Sequence, residues 1–209
     1  MSHRCRVVVA SRNRAKAAEI AQILADEGLG CEVVSLADFP DVSLPPETGR
    51  TFAENAVAKA RHAAAATGLP AIADDSGLEV DALDGRPGIY SARYAGDNAG
   101  DEERCQKLLE EMRDVPDDQR QARFVCAAAY AEPDGQVLVT EGASLGRIAR
   151  EPAGTGGFGY DPIFIPRGRS CSMAQLTPGQ KNAISHRGRA FRLLSRAIRE
   201  HLRKRAERT

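Results

Sequence analysis

The first 80 residues alternate short apolar runs with helical periods, and this alternation constrains the fold more than any other feature of the chain. Arg6 to Ala10 is an apolar run of strand length. Arg14 to Glu27 has helical spacing, with Ile20, Ile23 and Leu24 on one side and Gly28 as its stop. Cys31 to Ser35 reads as a second strand, and Asp38 to Pro46, with three prolines, as a loop. Thr51-Phe52-Ala53-Glu54 is a capping box that opens an Ala-rich helix reaching about Ala66, ended by Gly68 and Pro70. Ala71-Ile72-Ala73 is a third apolar strand, stopping at Asp74-Asp75-Ser76-Gly77.

The second half changes character. Leu78-Glu79-Val80 alternates as a further short strand, Gly85 to Gly100 is loop, and Asp101 to Met112 is a helix with three acids in its first turn. Ala122 to Ala131 and Gln136 to Thr140 form a hairpin about Pro133-Asp134-Gly135, and Ser144 to Ala149 adds a separate strand. A glycine loop, 154–157, leads into 161–165. Thr177-Pro178 opens a helix with Pro at its first position, and a last helix, Arg187 to Lys204, turns Phe191, Leu194, Ile198 and Leu202 inward. Helices between strands early and a hairpin late predict an α/β fold: a central mixed sheet flanked by helices, one domain over 1–209 with two lobes and a cleft. A length of 209 residues suits one such domain, and 42% hydrophobic residues suffice for its core.

Several classes of function fall away. Lys plus Arg and Asp plus Glu both number 29, so the net charge of +0 offers no broad electrostatic face to nucleic acid or to an anionic membrane. The basic run Arg187 to Arg208 reads as a solvated helix face. No apolar run nears the ~18–20 residues of a membrane span, and the apolar part of the N-terminus is too short for a secretory leader. The cysteines, at 5, 31, 105, 126 and 171, are odd in number and widely spaced, which suits a reducing cytoplasmic setting rather than a disulfide scaffold or zinc ribbon. Histidines at 3, 62, 186 and 201 form no metal motif.

Five constellations carry chemistry. Ser11-Arg12-Asn13-Arg14-Ala15-Lys16 joins a strand to a helix, where unpaired N–H groups at the positive end of the dipole suit phosphate; the plain alternative is a capped helix with a solvated Lys16. Asp74 and Asp75 point to opposite faces of a strand and so have different tasks, one suited to Mg²⁺ or a proton, the other to structure; the alternative is an Asp-Ser-Gly turn. Glu47 is a loop carboxylate that the capping box leaves unexplained, a candidate second metal ligand, with Lys59 on the helix behind it. In Gly156-Gly157-Phe158-Gly159-Tyr160-Asp161-Pro162 the ring of Phe158, or of Tyr160, can stack on a base, and Asp161 can accept from a ring N–H. Lys181, His186 and Arg187 form a donor cluster, or else a helix cap with surface charge.

Taken in order, these segments resemble the inosine triphosphate pyrophosphatase family. The resemblance spans nearly the whole chain: Ser11-x-Asn13-x-x-Lys16, Glu47-Thr48-Gly49-x-Thr51-Phe52-x-Glu54-Asn55-Ala56 with Lys59-Ala60, Ala73 to Leu78, Pro87 to Tyr94, Gly154 to Phe164, and Ser185-His186-Arg187. Ser11 stands where the family more often has Thr, and Arg12 and Arg14 are bulkier than is usual there, either adding phosphate contacts or pointing outward. The resemblance implies an elongated, two-lobed α/β homodimer that uses Mg²⁺ to split purine nucleoside triphosphates between the α and β phosphates. It implies Glu47 and Asp75 as Mg²⁺ ligands, Asp75 as acceptor of the water's proton, and Asp74 as support. Ser11 to Lys16, Ser76 and Lys59 would hold phosphates, and Phe158 to Asp161, Lys181, His186 and Arg187 the base. On this view the neutral balance hides segregated charge, acids gathered for metal and bases for nucleotide. Two other readings remain: a pyrophosphatase for other modified nucleotides, and a nucleotide sensor without turnover.

Overall fold

The computed structural model describes residues 6–207. The stretch before Arg6, with His3 and Cys5, and the last two residues, Arg208 and Thr209, lie outside these residues. Six strands make one sheet in the order β2-β1-β3-β4-β5-β6. They are β1 (Arg6–Val9), β2 (Glu32–Ser35), β3 (Ala71–Val80), β4 (Gln121–Ala131), β5 (Val137–Ile148) and β6 (Phe164–Pro166). The helices are α1 (Arg14–Asp26), α2 (Phe52–Thr67), α3 (Asp101–Glu111), α4 (Pro178–Ile184) and α5 (His186–Ala206). β1 runs parallel to β2, from Arg6 opposite Glu32 to Val9 opposite Ser35, and parallel to β3 through Val8–Ala71 and Val9–Ile72. β5 and β6 are antiparallel. The sheet is therefore mixed and the chain α/β, as the alternation predicts.

Two boundaries differ from expectation. Asp74-Asp75-Ser76-Gly77 is not a turn: β3 runs unbroken through it, because both carboxylates find cationic partners on opposite faces of the strand. The 137–140 and 144–148 segments likewise fuse into the single strand β5. The predicted N-caps form, although the Thr51 box is only half closed, since Glu54 Oε2 accepts from Arg50 N rather than from Thr51 N. Asn13 Oδ1 accepts from Lys16 N, Thr51 Oγ1 from Glu54 N, and Thr177 Oγ1 from Gln180 N with Pro178 at the first helical position. Gly68 closes α2 in the left-handed conformation that glycine tolerates best.

The chain divides into two compact units. The described part of the first covers 6–75, 126–142 and 187–207. Its core joins Val7 and Val9 of β1 and Ile72 of β3 to Ile20, Ile23 and Leu24 of α1 and Phe191, Leu194 and Ile198 of α5. α2 presents Ala56, Ala60, Ala63 and Ala64 as its buried stripe, at the spacing of one helix face. The second unit covers 76–125 and 143–186. Leu78, Val80, Leu108, Met112, Phe124, Ile148, Ile163 and Phe164 form its core. Arg120, also buried there, donates to the carbonyls of Met112, Val115, Ile148 and Ala149 and so ties the end of α3 to the end of β5. Gly146 is where β5 meets β6. A Cβ there would strike the Ile165 carbonyl oxygen and stand 2.6 Å from Phe164 Cζ. Gly146→Ala is expected to cost about 1–3 kcal/mol as overpacking. In thermal unfolding that is a fall of several degrees; an unchanged midpoint would contradict the close approach.

Among the described residues no helix is long and apolar enough to cross a membrane, and Cys31, Cys105, Cys126 and Cys171 form no disulfide.

Candidate active site

β3 carries the chemistry because two acids follow one another on it. Consecutive strand residues face opposite sides. Asp75 turns toward α2, and Asp74, on the side of Ile72, toward α1 and α5. The pairing of β1 with β3 ends at Val9–Ile72, so both acids lie just past its last paired residues.

On the α2 side, Lys59 Nζ lies 2.9 Å from Asp75 Oδ1 and 2.9 Å from Glu47 Oε1. Asn55 Nδ2 donates to Asp75 Oδ2 at 3.0 Å, and Asn55 Oδ1 accepts from Gly49 N at 2.8 Å. Burial is the largest influence on Asp75 and raises its pKa from the ordinary value; Lys59 opposes this, and the Glu47 charge adds to it. Burial alone would lower the pKa of Lys59, but Asp75 and then Glu47 reverse the effect and raise it. The result is an ammonium held between two carboxylates.

On the other face, Asp74 Oδ1 pairs with Lys16 Nζ at 2.9 Å. Arg187 Nε and Nη2 each donate to Asp74 Oδ2 at 3.2 Å, and Arg187 Nη1 donates to Glu19 Oε2 at 2.9 Å. Burial pushes the Asp74 pKa upward, but Lys16 and Arg187 outweigh it and hold the group well below its ordinary value. In the turn that delivers Lys16, Ser11 Oγ accepts from Asn13 N at 3.2 Å. Arg12 reaches away to the Pro40 and Val42 carbonyls, and Arg14 is exposed. Ala15 belongs to the first turn of α1, and Ser76 continues β3, half-buried.

In the second unit, the 157–161 turn closes on Asp161. Phe158 N donates to Asp161 Oδ2 at 2.9 Å, and Lys181 Nζ donates to the same oxygen at 2.7 Å while standing 4.4 Å from the Phe158 ring centre. Phe158 is half-buried, and with Gly159, Asp101, Cys105 and Met112 it lines a cavity of about 990 Å³. Tyr160 is a core residue, its hydroxyl donating to the Ser91 carbonyl. Of the two aromatics, then, Phe158 alone lines this cavity. Buried His186 stacks on Phe124 with ring centres 4.7 Å apart.

The sequence profile of the Ham1 family matches residues 7–197. The chain belongs to the Ham1 family. It is 56% identical over 196 residues to the dITP/XTP pyrophosphatase of Shigella flexneri, covering 93% of this chain and 98% of that protein. It is 55% identical over 194 residues to the dITP/XTP pyrophosphatase of Nocardia farcinica, covering 92% and 94%. Among solved structures, a HAM1 protein from Coxiella burnetii superposes with a TM-score of 0.84 at 47% identity, over 94% of this chain and 99% of that one.

In this Ham1 chain the structure gathers Lys16, Glu47, Lys59, Asp74 and Asp75 in the first unit, and Phe158, Asp161 and Lys181 in the second. Arg187 has partners other than those the sequence suggests: it is buried against Asp74 and Glu19 instead of being turned outward as a donor. Asp161 receives a lysine and a backbone N–H rather than standing ready for a ring N–H. Nor are the charges segregated, since Lys16, Lys59, Lys181 and Arg187 each meet at least one carboxylate. Sequence reasoning assigned no part to Glu19 or Asn55. Glu19 announces itself only as an acid beside Ile20 on the buried side of α1, and Asn55 as the polar residue of a first helical turn that needs no further cap.

Proposed function

We propose that this chain hydrolyses deaminated purine nucleoside triphosphates, ITP, dITP and XTP, to the monophosphate and pyrophosphate, with Mg²⁺. The observation that carries the reading is the convergence of Glu47 and Asp75 on one cationic nitrogen, in a chain so similar to named dITP/XTP pyrophosphatases. The donor set fits Mg²⁺. Two hard carboxylates within reach of one cation are what Mg²⁺ takes from a protein, with waters and phosphate oxygens completing its shell. No group of three or more His, Cys, Asp or Glu suited to a metal occurs among the described residues, and two carboxylates meet this need. Bound there, Mg²⁺ would neutralise phosphate charge and favour ionisation of a water.

The chain's own residues supply the rest. Asp75 takes the proton of the attacking water. Lys59 and Lys16, each oriented by a carboxylate, stabilise charge on the phosphates and on the departing pyrophosphate. Phe158, which lines the cavity, would stack on the base. Lys181 and His186 are the donors suited to a 6-oxo group, against which the amino group of adenine would be mispaired. Arg187 acts at one remove, through Asp74 and Lys16. The reading includes the homodimer and the cytoplasmic setting that the resemblance implies.

Product analysis over ITP, dITP, XTP, ATP, dUTP and m⁷GTP tests the proposal. Mg²⁺-dependent release of pyrophosphate with IMP from ITP is expected. Orthophosphate with IDP would overturn the reaction, preference for dUTP or m⁷GTP would favour the modified-nucleotide reading, and tight ITP binding without release would favour a sensor.

A further inference from the structure

We propose that Asn55 is a positioning residue that fixes both the rotation of the Asp75 carboxylate and the distance of the Glu47 loop from it. The inference rests on the pyrophosphatase reading above, in which those two acids hold the metal. Asn55 is 2% exposed in the first turn of α2. A buried primary amide is tolerated when both of its ends are hydrogen-bonded. Here Nδ2 donates to Asp75 Oδ2 at 3.0 Å and Oδ1 accepts from Gly49 N at 2.8 Å. A backbone N–H only donates and an ionised carboxylate only accepts, so the amide cannot flip without losing both bonds.

Two consequences follow from this one-way bridge. Asp75 has a single torsion that would exchange its oxygens. With Oδ2 anchored by the amide, Oδ1 is the oxygen presented to Lys59 and to any cation that Glu47 shares. Gly49 stands two residues after Glu47 and lies flat on the amide: a Cβ there would be 2.5 Å from Asn55 Oδ1 and 2.9 Å from Glu54 Cβ. The helix start that holds Asn55 is itself fixed, Thr51 capping Glu54 N and Glu54 Oε2 accepting from Arg50 N at 2.6 Å. One side chain thus sets both carboxylates from a rigid element. Groups that orient metal-binding carboxylates in this way typically change metal affinity or turnover 10–100-fold when removed.

The experiment compares the parent, Asn55→Ala and Gly49→Ala, the last of which crowds the amide from its other end and leaves every polar group in place. Two quantities are read on folded protein: Mg²⁺ affinity by calorimetry without nucleotide, and kcat and KM for pyrophosphate release from ITP. Both variants are expected to weaken Mg²⁺ binding about 10-fold and to lower kcat by about 10–100-fold, with KM for ITP within threefold of the parent. In the Asn55→Ala background only the 2.9 Å approach to Glu54 Cβ remains, so Gly49→Ala should add less to the loss of Mg²⁺ affinity than it costs in the parent. Unchanged Mg²⁺ affinity in either folded variant, including no binding in the parent, overturns the proposal, because a merely structural amide would alter stability and nothing else. Should Asn55→Ala fail to fold, Gly49→Ala decides. A parent that releases no pyrophosphate defeats the pyrophosphatase reading, and the Mg²⁺ titration still decides the role of Asn55.

Discussion

Asp75→Asn is expected to lower kcat for pyrophosphate release by about 10³-fold, within the 10²–10⁴ range for loss of a general base, while the protein remains folded. The substitution is isosteric. It removes the group on which a water's proton is placed and leaves Lys59 paired with Glu47. Stability should change little, because the Asp75 charge is held at some cost. Burial, its largest influence, raises the pKa in spite of Lys59, so the folded state prefers the carboxyl form more than the unfolded chain does. The sign follows directly. The protonated group favours folding at low pH, and this contribution is lost as pH rises through the raised folded value, so at pH 7 the Asn variant loses nothing. Turnover in the parent runs the other way: it needs the ionised form and falls as Asp75 is protonated. The acid limb of the pH–rate profile should therefore vanish with the residual activity of the variant. Melting temperature and pyrophosphate release on the same preparation check both halves. Activity near that of the parent would remove Asp75 from the role of base.

Much of this arrangement was legible in the chain, and the reasons differ by element. β1, α1, β2 and α2 carry periodic apolar residues and ordinary caps, so local rules suffice for them. β3 is harder. Adjacent aspartates before Ser-Gly have the local chemistry of a turn, and only partners remote in sequence, Lys16, Lys59 and Arg187, make an unbroken strand tolerable. The opposite orientation of Asp74 and Asp75 was predictable from strand alternation alone. What each one meets was not, because Arg187 lies 113 residues from Asp74. Tyr160 shows the same limit. An aromatic between Gly and Asp looks available to a ligand until Ser91 supplies the carbonyl that draws its hydroxyl into the core. Asn55 was hidden for a different reason, since the capping box beside it already explained why polar residues open the helix.

Asp74→Asn is the variant expected to cost the most stability. The Arg187 guanidinium is buried, and two of its nitrogens rest on Asp74 Oδ2, with Glu19 holding the third. Removing one partner of a buried ion pair costs about 3–5 kcal/mol because the other charge stays behind uncompensated. For a chain of this size that is a fall in melting temperature of roughly 10 °C. Burial pushes the Asp74 pKa up, but Lys16 and Arg187 depress it further, to well below the unfolded value of about 3.9. A depressed carboxylate stabilises fully above the unfolded pKa and progressively less as pH falls toward the folded one. The difference between parent and variant should thus be constant from about pH 5 to 8 and shrink below pH 4, as urea midpoints at pH 7 and pH 3 would show. A difference that persisted undiminished at pH 3 would place the effect in packing and not in charge. Replacing the whole cluster separates the two further. Asp74→Leu with Arg187→Met and Glu19→Leu removes the acid, the guanidinium and its second carboxylate together and should recover much of the loss, as exchange of whole buried ion clusters for apolar residues often does. Turnover should not recover with it. Lys16 takes its orientation from Asp74 Oδ1, and a stable triple variant would still present that ammonium to phosphate without its anchor. Stability restored with the Lys16 contact still lost would appear as a raised KM for ITP in a well-folded protein, and that pairing of results is what distinguishes an acid that organises the phosphate site from one that only holds two helices to a strand.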